Sequence, residues 1–254
     1  MMIHTEDHDR IRVLRLDHGK VSALDLELCQ AIETACLAAA EDAVGAVVLT
    51  GTGSVFSAGV DLFRILKDGT SYVQAFLPAL TDALHALFTL EVPVVAAVNG
   101  HAIAGGCLLV QACDLRLMAE GKSRIGVPEL QVGVPFPLMA LEIMRYALPP
   151  EHLEREILGG ATYDSQTALG RGLVDELVAP GQLMERALSE AGELAQRSPE
   201  AYALMKRELR APALSRCQSR GELVDRRVLA QWSAPESHLR IKAYLDQTLG
   251  KGKS

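Results

Sequence analysis

Apolar positions along this chain follow two periods, and the switches between them outline its elements. Ala46-Val-Val-Leu-Thr50 and Val92-Pro-Val-Val-Ala-Ala-Val98 are short apolar runs that read as buried strands. Looser alternation over Arg10–Leu16 and Cys113–Met118 predicts two more strands. From Leu24 to Ala40, apolar residues at Leu28, Ile32, Ala35 and Ala39 recur at helical spacing, and Glu41-Asp-Ala-Val-Gly45 ends that segment. Ser71 to Leu90 is helical too, with Phe76, Leu80, Leu84 and Leu87 on one face; Pro78 is expected to kink or split it. Ala104-Gly105-Gly106 opens a short helix to about Ala112. Strand, helix, strand in repetition predicts an α/β arrangement. Gly126 to Pro137, with its prolines and glycines, reads as loop. Beyond it the pattern is helical: Leu138–Leu148, Pro150–Leu158, Ser165–Gly170, Gln182–Gln196, Pro199–Leu209 and a charged stretch from Arg220 to Leu249. The one boundary this suggests lies near residue 180, between an α/β core (1–180) and a helical region (181–254). Such terminal helices serve subunit packing or form a solvated face; the pattern leaves both open.

Composition narrows the partners. The chain has 254 residues, enough for a substantial core. A net charge of −7 argues against nucleic acid or an anionic membrane as main partner. Five dispersed cysteines without a CxxC pair suit free thiols in a reducing compartment. The polar, acidic first ten residues do not read as a signal peptide, and cytoplasmic residence is expected.

Two glycine-rich stretches carry the chemistry. Gly51-Thr-Gly-Ser-Val-Phe-Ser-Ala-Gly-Val-Asp-Leu62 follows the first apolar run, and Asn99-Gly-His-Ala-Ile-Ala-Gly-Gly-Cys107 follows the second. Small residues at Ser57, Ala58 and Gly59 leave the main chain bare, and a helix opening at Gly105-Gly106 exposes unpaired N–H groups. N–H groups of Val60 and Gly105 can then share one oxygen as an oxyanion hole, which points to enolate or acyl chemistry. The competing reading is that the glycines serve only tight helix–strand packing. A base is the second ingredient. Glu129, between Pro128 and Leu130, is either a partly desolvated carboxylate suited to proton transfer or an ordinary exposed loop glutamate.

Phe56-Ser-Ala-Gly-Val-Asp-Leu62, Val98 to Cys107 and Cys113-Asp-Leu-Arg116 resemble the paired signature of the crotonase superfamily, the enoyl-CoA hydratase/isomerase family. The likeness extends to Ser22-Ala-Leu24 and to Ala168-Leu-Gly-Arg-Gly-Leu-Val174 and the helices beyond, most of the chain. It implies an α/β spiral of repeated ββα units with C-terminal helices, trimers or pairs of trimers, and an acyl-CoA thioester substrate with no further cofactor or metal. On that pattern Val60 and Gly105 match the oxyanion positions. Ala23, Leu24, Ala58, Gly59, Asp61 and Leu62 match segments lining the CoA groove, and Glu129 matches a catalytic acid.

One departure is informative. Family hydratases carry a glutamate directly after Gly-Gly-Cys, where this chain has Leu108. Hydration shares its proton transfers between two carboxylates; a single one suffices to shuttle a proton from C2 to C4 of a 3-enoyl thioester. The Ala-Gly-Gly-Cys-Leu run with Glu-Leu-Gln-Val-Gly-Val-Pro-Phe is similar to the mitochondrial-type Δ3,Δ2-enoyl-CoA isomerases, so isomerase is favoured. The alternatives are a hydratase, hydrolase or decarboxylase, with Asp82 standing in for the missing acid, and an acyl-CoA-binding relative without turnover. Asp61 reads as structural or groove-lining. Arg64, Lys67, Lys251 and Lys253 are weak candidates for CoA phosphates, His101 for substrate, and His4 with His8 for a metal; a frayed N-terminus is the expectation for the last pair. The packing of Ser71–Leu90 and Phe136 is expected to set pocket width.

Overall fold

The computed structural model describes residues 2–250. The chain opens with a hairpin, β1 (Ile3–His8) antiparallel to β2 (Ile11–Leu16), and enters α1 (Leu26–Glu41), which Asp25 caps by accepting from Leu28 N–H at 2.8 Å. Then come three units of one plan. β3 (Ala46–Thr50), β4 (Val55–Ser57) and α2 (Leu62–Thr89) are followed by β5 (Val94–Val98), β6 (His101–Ile103) and α3 (Gly105–Ala112). The third unit is β7 (Leu115–Ala119), β8 (Ile125–Gly126) and the one-turn helix α4 (Glu129–Val132). Each unit gives its first strand to a six-stranded sheet, order β1-β2-β3-β5-β7-β10, and its second to a four-stranded sheet, β4-β6-β8-β9. The spiral is completed by α5 (Leu138–Ala147), α6 (Pro150–Gly159), β9 (Thr162–Tyr163), α7 (Ser165–Gly170) and β10 (Glu176–Val178). The helices α8 (Leu183–Ala195), α9 (Pro199–Trp232) and α10 (Pro235–Gly250) follow.

The apolar runs have a simple cause. β3 and β5 are parallel neighbours buried along their whole length. Val47, Leu49, Val94, Ala96 and Val98 face the core under α1 and α2, while Ala46, Val48, Val95 and Ala97 face Leu183, Ala187 and Ala191 of α8. A parallel sheet covered on both faces needs apolar residues at every position, so the runs do not alternate.

Three expectations are corrected. The N-terminus is no frayed tail: β1 pairs with β2 over six residues, and its polar side chains stand exposed on an edge strand held by main-chain bonds. The second helix breaks at Gly69 (φ 67°, ψ −154°), and its backbone is helical at Pro78, because glycine leaves the helical region without a Cβ penalty. The segments read as Pro199–Leu209 and Arg220–Leu249 are α9, unbroken to Trp232 through Pro212, and α10. Burial of Arg210, Ala213, Val228 and Trp232 against the rest of the chain outweighs the propensity cost of that proline.

Candidate active site

Adjacent parallel strands β3 and β5 release their loops at the same edge of the sheet, and the two loops run side by side. Asn99 ties them: its Oδ1 accepts from Gly51 N–H at 2.9 Å, and its Nδ2 donates to Gly53 O at 2.9 Å and Val55 O at 3.3 Å. Beyond that tie β4 pairs with β6. The backbones approach too closely for side chains. A Cβ on Gly100 would meet Ser54 O at 2.0 Å, one on Gly106 would meet Ser57 O at 2.4 Å, and one on Gly59 would meet Ile103 O at 2.5 Å. These glycines thus serve close packing of the two loops, which by itself does not exclude the chemical reading.

A third segment, residues 21–24, lines the first loop. Ala58 N–H donates to Val21 O (3.0 Å), Leu24 N–H to Gly59 O (2.8 Å) and Asp61 N–H to Leu24 O (2.9 Å). Leu24 and Val60 form a parallel bridge, and in such a bridge the N–H of the flanked residue points to the opposite side. Val60 N–H therefore faces away from Leu24 and has no acceptor among the described residues. Gly105 is the first residue of α3, so its N–H has no partner within the helix. Its direction follows from Ala104, held at φ 54°, ψ −122° with its own N–H on Gly126 O at 2.8 Å. Ala23 and Leu62 are half-buried beside this strip, Leu24 and Gly59 buried, and Ala58 exposed.

Glu129 reaches the same region through β8. Ile103 pairs with Gly126, and three residues further on Glu129 lies within roughly 10 Å of Gly126 by chain length alone. It is the first residue of α4 and only 6% exposed, and its Oε2 is buried without a hydrogen-bond partner. Burial pushes its carboxyl up to about 8, against a smaller opposing effect of its own backbone N–H. The Cys107 thiol on α3 is raised by its own burial and then by the charge of Glu129. A buried carboxyl with an oxygen left unpaired is costly and typical of functional sites. Leu108, on α3, is 2% exposed, and Phe136 is buried.

Other candidates have structural work. Asp61 caps α2, accepting from Arg64 N–H at 3.0 Å. Arg64 is engaged by both carboxylate oxygens of Glu27 and stacks 4.6 Å from the centre of the Tyr72 ring, which removes it as a free phosphate ligand. Lys67 is exposed; Lys251 and Lys253 lie outside the described residues. His101 Nδ1 accepts from Arg124 N–H at 3.1 Å. His4 pairs with Asp17 at 2.8 Å; four residues along a strand put His8 about 13 Å away, too far to share an ion. No group of three or more potential metal ligands occurs among the described residues. Asp82 is exposed at the opposite end of the sheet, on a cavity of about 720 Å³ that also touches Gly45 and Pro93, before β3 and β5. Its distance from the loops removes it as a substitute acid. Asn99 escaped the sequence reading because nothing local distinguishes a cross-loop tie from a turn residue.

An α/β spiral of this kind, with paired sheets and C-terminal helices, is the crotonase fold. The profile of the enoyl-CoA hydratase/isomerase family matches residues 6–247. The chain is 36% identical over 175 residues to a putative enoyl-CoA hydratase of Thermus thermophilus, covering 68% of each. It is similar to the apo structure of an enoyl-CoA isomerase from Mycobacterium tuberculosis, with 33% identity, TM-score 0.79 and coverage of 86% of this chain and 95% of that one. The human mitochondrial Δ3,Δ2-enoyl-CoA isomerase shares the fold over 100% of both chains with TM-score 0.93, at 24% identity. The chain belongs to the enoyl-CoA hydratase/isomerase family and is an acyl-CoA enzyme of that family. No helix among the described residues is long and apolar enough to cross a membrane.

Proposed function

We propose that this enzyme is an acyl-CoA double-bond isomerase. The observation that carries the reading is an unpaired buried acid: Glu129 has an unpartnered oxygen, whereas the buried Glu142 and Glu156 are ion-paired with Arg216 and Arg171, and the position after Gly-Gly-Cys is the buried apolar Leu108. The Glu129 carboxylate takes a proton from C2 of a 3-enoyl thioester. Electrons from that C–H bond move toward the thioester, whose oxygen becomes an oxyanion held by the N–H groups of Val60 and Gly105. The dienolate collapses with a new C2=C3 bond, and C4 recovers the proton from Glu129. No electron is gained or lost overall, and one carboxyl serves as acid and base. Ala23, Leu24, Ala58, Gly59, Asp61 and Leu62 would line the CoA groove, and the helices from residue 181 on would join subunits into trimers or pairs of trimers in the cytoplasm.

The names of relatives such as the Thermus protein favour hydration as the second reading. Turnover of a 3-enoyl-CoA and of crotonyl-CoA by wild type and Glu129→Gln separates the two. Isomerisation is expected to fall by about 10²–10⁴-fold in the variant, with crotonyl-CoA hydration weak in both. Equal isomerisation by both proteins would remove Glu129 as base, and vigorous hydration would favour the second reading.

A further inference from the structure

Glu129 stands on the least self-sufficient element of the site. α4 has four residues, begins at Pro128 without a side-chain cap, and ends at Gly133 in the left-handed region (φ 93°). A single turn of helix does not hold itself in water. Burial of the Glu129 carboxyl adds a force for opening, because hydration would relieve it.

What restrains the segment comes from the far end of the chain. Trp232, 2% exposed at the end of α9, donates its indole N–H to Pro135 O at 2.9 Å. Asp225, also on α9, accepts from Leu138 N–H at 2.8 Å. Leu138 opens α5, whose preceding residue Pro137 offers no side-chain cap, so Asp225 caps that helix from 87 residues away. The Arg240 side chain of α10 lies against Gly133, where a Cβ would come within 2.7 Å of its Cδ. The stretch leaving the acid is thus tied at 133, 135 and 138, each time by α9 or α10. An indole makes a well-defined tie: it is a donor only, and buried beside a carbonyl it has one place to go.

We propose that Trp232 and Asp225 are positioning residues, which pin residues 133–138 and thereby keep the Glu129 carboxyl dry and fixed for proton transfer. The catalytic part of this inference rests on reading Glu129 as the proton carrier. The test has two readouts. Trp232→Phe keeps an aromatic ring and removes the donor; Asp225→Ala removes the cap, and Asp225→Asn retains an acceptor oxygen. For Trp232→Phe, kcat on a 3-enoyl-CoA is expected to fall on the order of ten- to a hundredfold, the cost of slight misplacement, with KM within about twofold. The titration midpoint of Glu129, read by carbon NMR of side-chain-labelled protein, should drop from about 8 toward the ordinary carboxyl range. Asp225→Ala should move both readouts the same way by less, and Asp225→Asn should restore them. A purely structural role would lower the melting temperature and leave the midpoint alone. A folded Trp232→Phe with an unmoved midpoint overturns the proposal, whether or not kcat falls; if that variant does not fold, the Asp225 pair is read by the same criterion. Activity surviving in Glu129→Gln would instead remove the catalytic reading, and the midpoint would still report on positioning by itself.

Discussion

The two glycine loops and the loop of Glu129 are built by opposite means. The glycine loops are main chain against main chain, with contacts so tight that Gly59, Gly100 and Gly106 have no room for a Cβ. They hang directly from β3 and β5, whose every residue is buried. The acid's loop has one turn of helix, a buried carboxyl with an unpartnered oxygen, and ties that come from α9 and α10. On the proposed mechanism, donors that must not move are made from backbone, which carries no rotamers, and a group that must change charge is placed where residues over 80 positions away hold its loop. The first half should therefore be sensitive to added atoms, and the second to remote side chains.

The largest effect expected from the first half is that of Gly59→Ala. The methyl would meet Ile103 O and the Ala104 side chain at 2.5 and 2.6 Å, at a residue with φ of +80°. Forcing the loops apart displaces the N–H of Val60 from that of Gly105. We expect kcat to fall about 10²–10³-fold, as for loss of one oxyanion donor, and stability to fall by ~1–3 kcal/mol. Gly181→Ala is the control: that glycine is exposed, outside the loops, and nothing lies within 4 Å of the added Cβ, so its kinetics should match wild type. If Gly59→Ala is as active as wild type, the rigid half of the comparison is not rigid.

The next effect separates the halves by pH. With a carboxyl raised to about 8, Glu129 is a base only above that value, so kcat/KM should rise with pH through about 8. Stability must run the other way. Between the ordinary carboxyl range and 8 the folded chain holds a proton that the unfolded chain has released, so stability declines as pH rises across that window. Glu129→Gln, neutral at every pH, should match wild type near pH 4 and exceed it by ~4–5 kcal/mol at pH 9. Denaturant titrations at the two pH values measure it. Equal stability at both would mean the carboxyl is hydrated, and the contrast between the halves would lose its electrostatic basis.

This contrast also explains what could be read from the chain alone. β3, β5, α1 and α3 were legible because burial on both faces, helical spacing and paired glycines are local signals. So was the pairing of the glycine loops, since it follows from two adjacent strands ending in the same kind of turn. β8 and β9, of two residues each, are defined by their partners and leave no period in the sequence. β1 was hidden because its exposed residues are polar and its pairing is main chain only. Burial of Glu129 was undecidable, since a proline-rich loop reads alike whether helices from residues 199–250 cover it or water does. Trp232 and Asp225 had no signal, because a tie across more than 80 residues has no spacing rule.

The smallest effect tests whether strain within the rigid half has a purpose. Ala104 sits at φ 54°, ψ −122°, a region that suits glycine, and its ψ sets the plane of the peptide that carries Gly105 N–H. Its Cβ stands against the empty side of Gly59, and its N–H is held by Gly126 O. An alanine there costs about 1–2 kcal/mol. Ala104→Gly would remove that strain but restore freedom to the unfolded chain worth about 0.5–1 kcal/mol, so the net gain should be about 0–1.5 kcal/mol. Activity should nevertheless fall, by roughly two- to fivefold, because the peptide that aims the Gly105 donor is no longer confined by a side chain, and loss of aim is a fraction of loss of the donor. A variant more stable and less active would mean the strain is retained for donor direction. A variant with unchanged kcat would mean that β6 pairing and the Gly126 bond alone fix the donor, and that the methyl of Ala104 only fills the space beside Gly59.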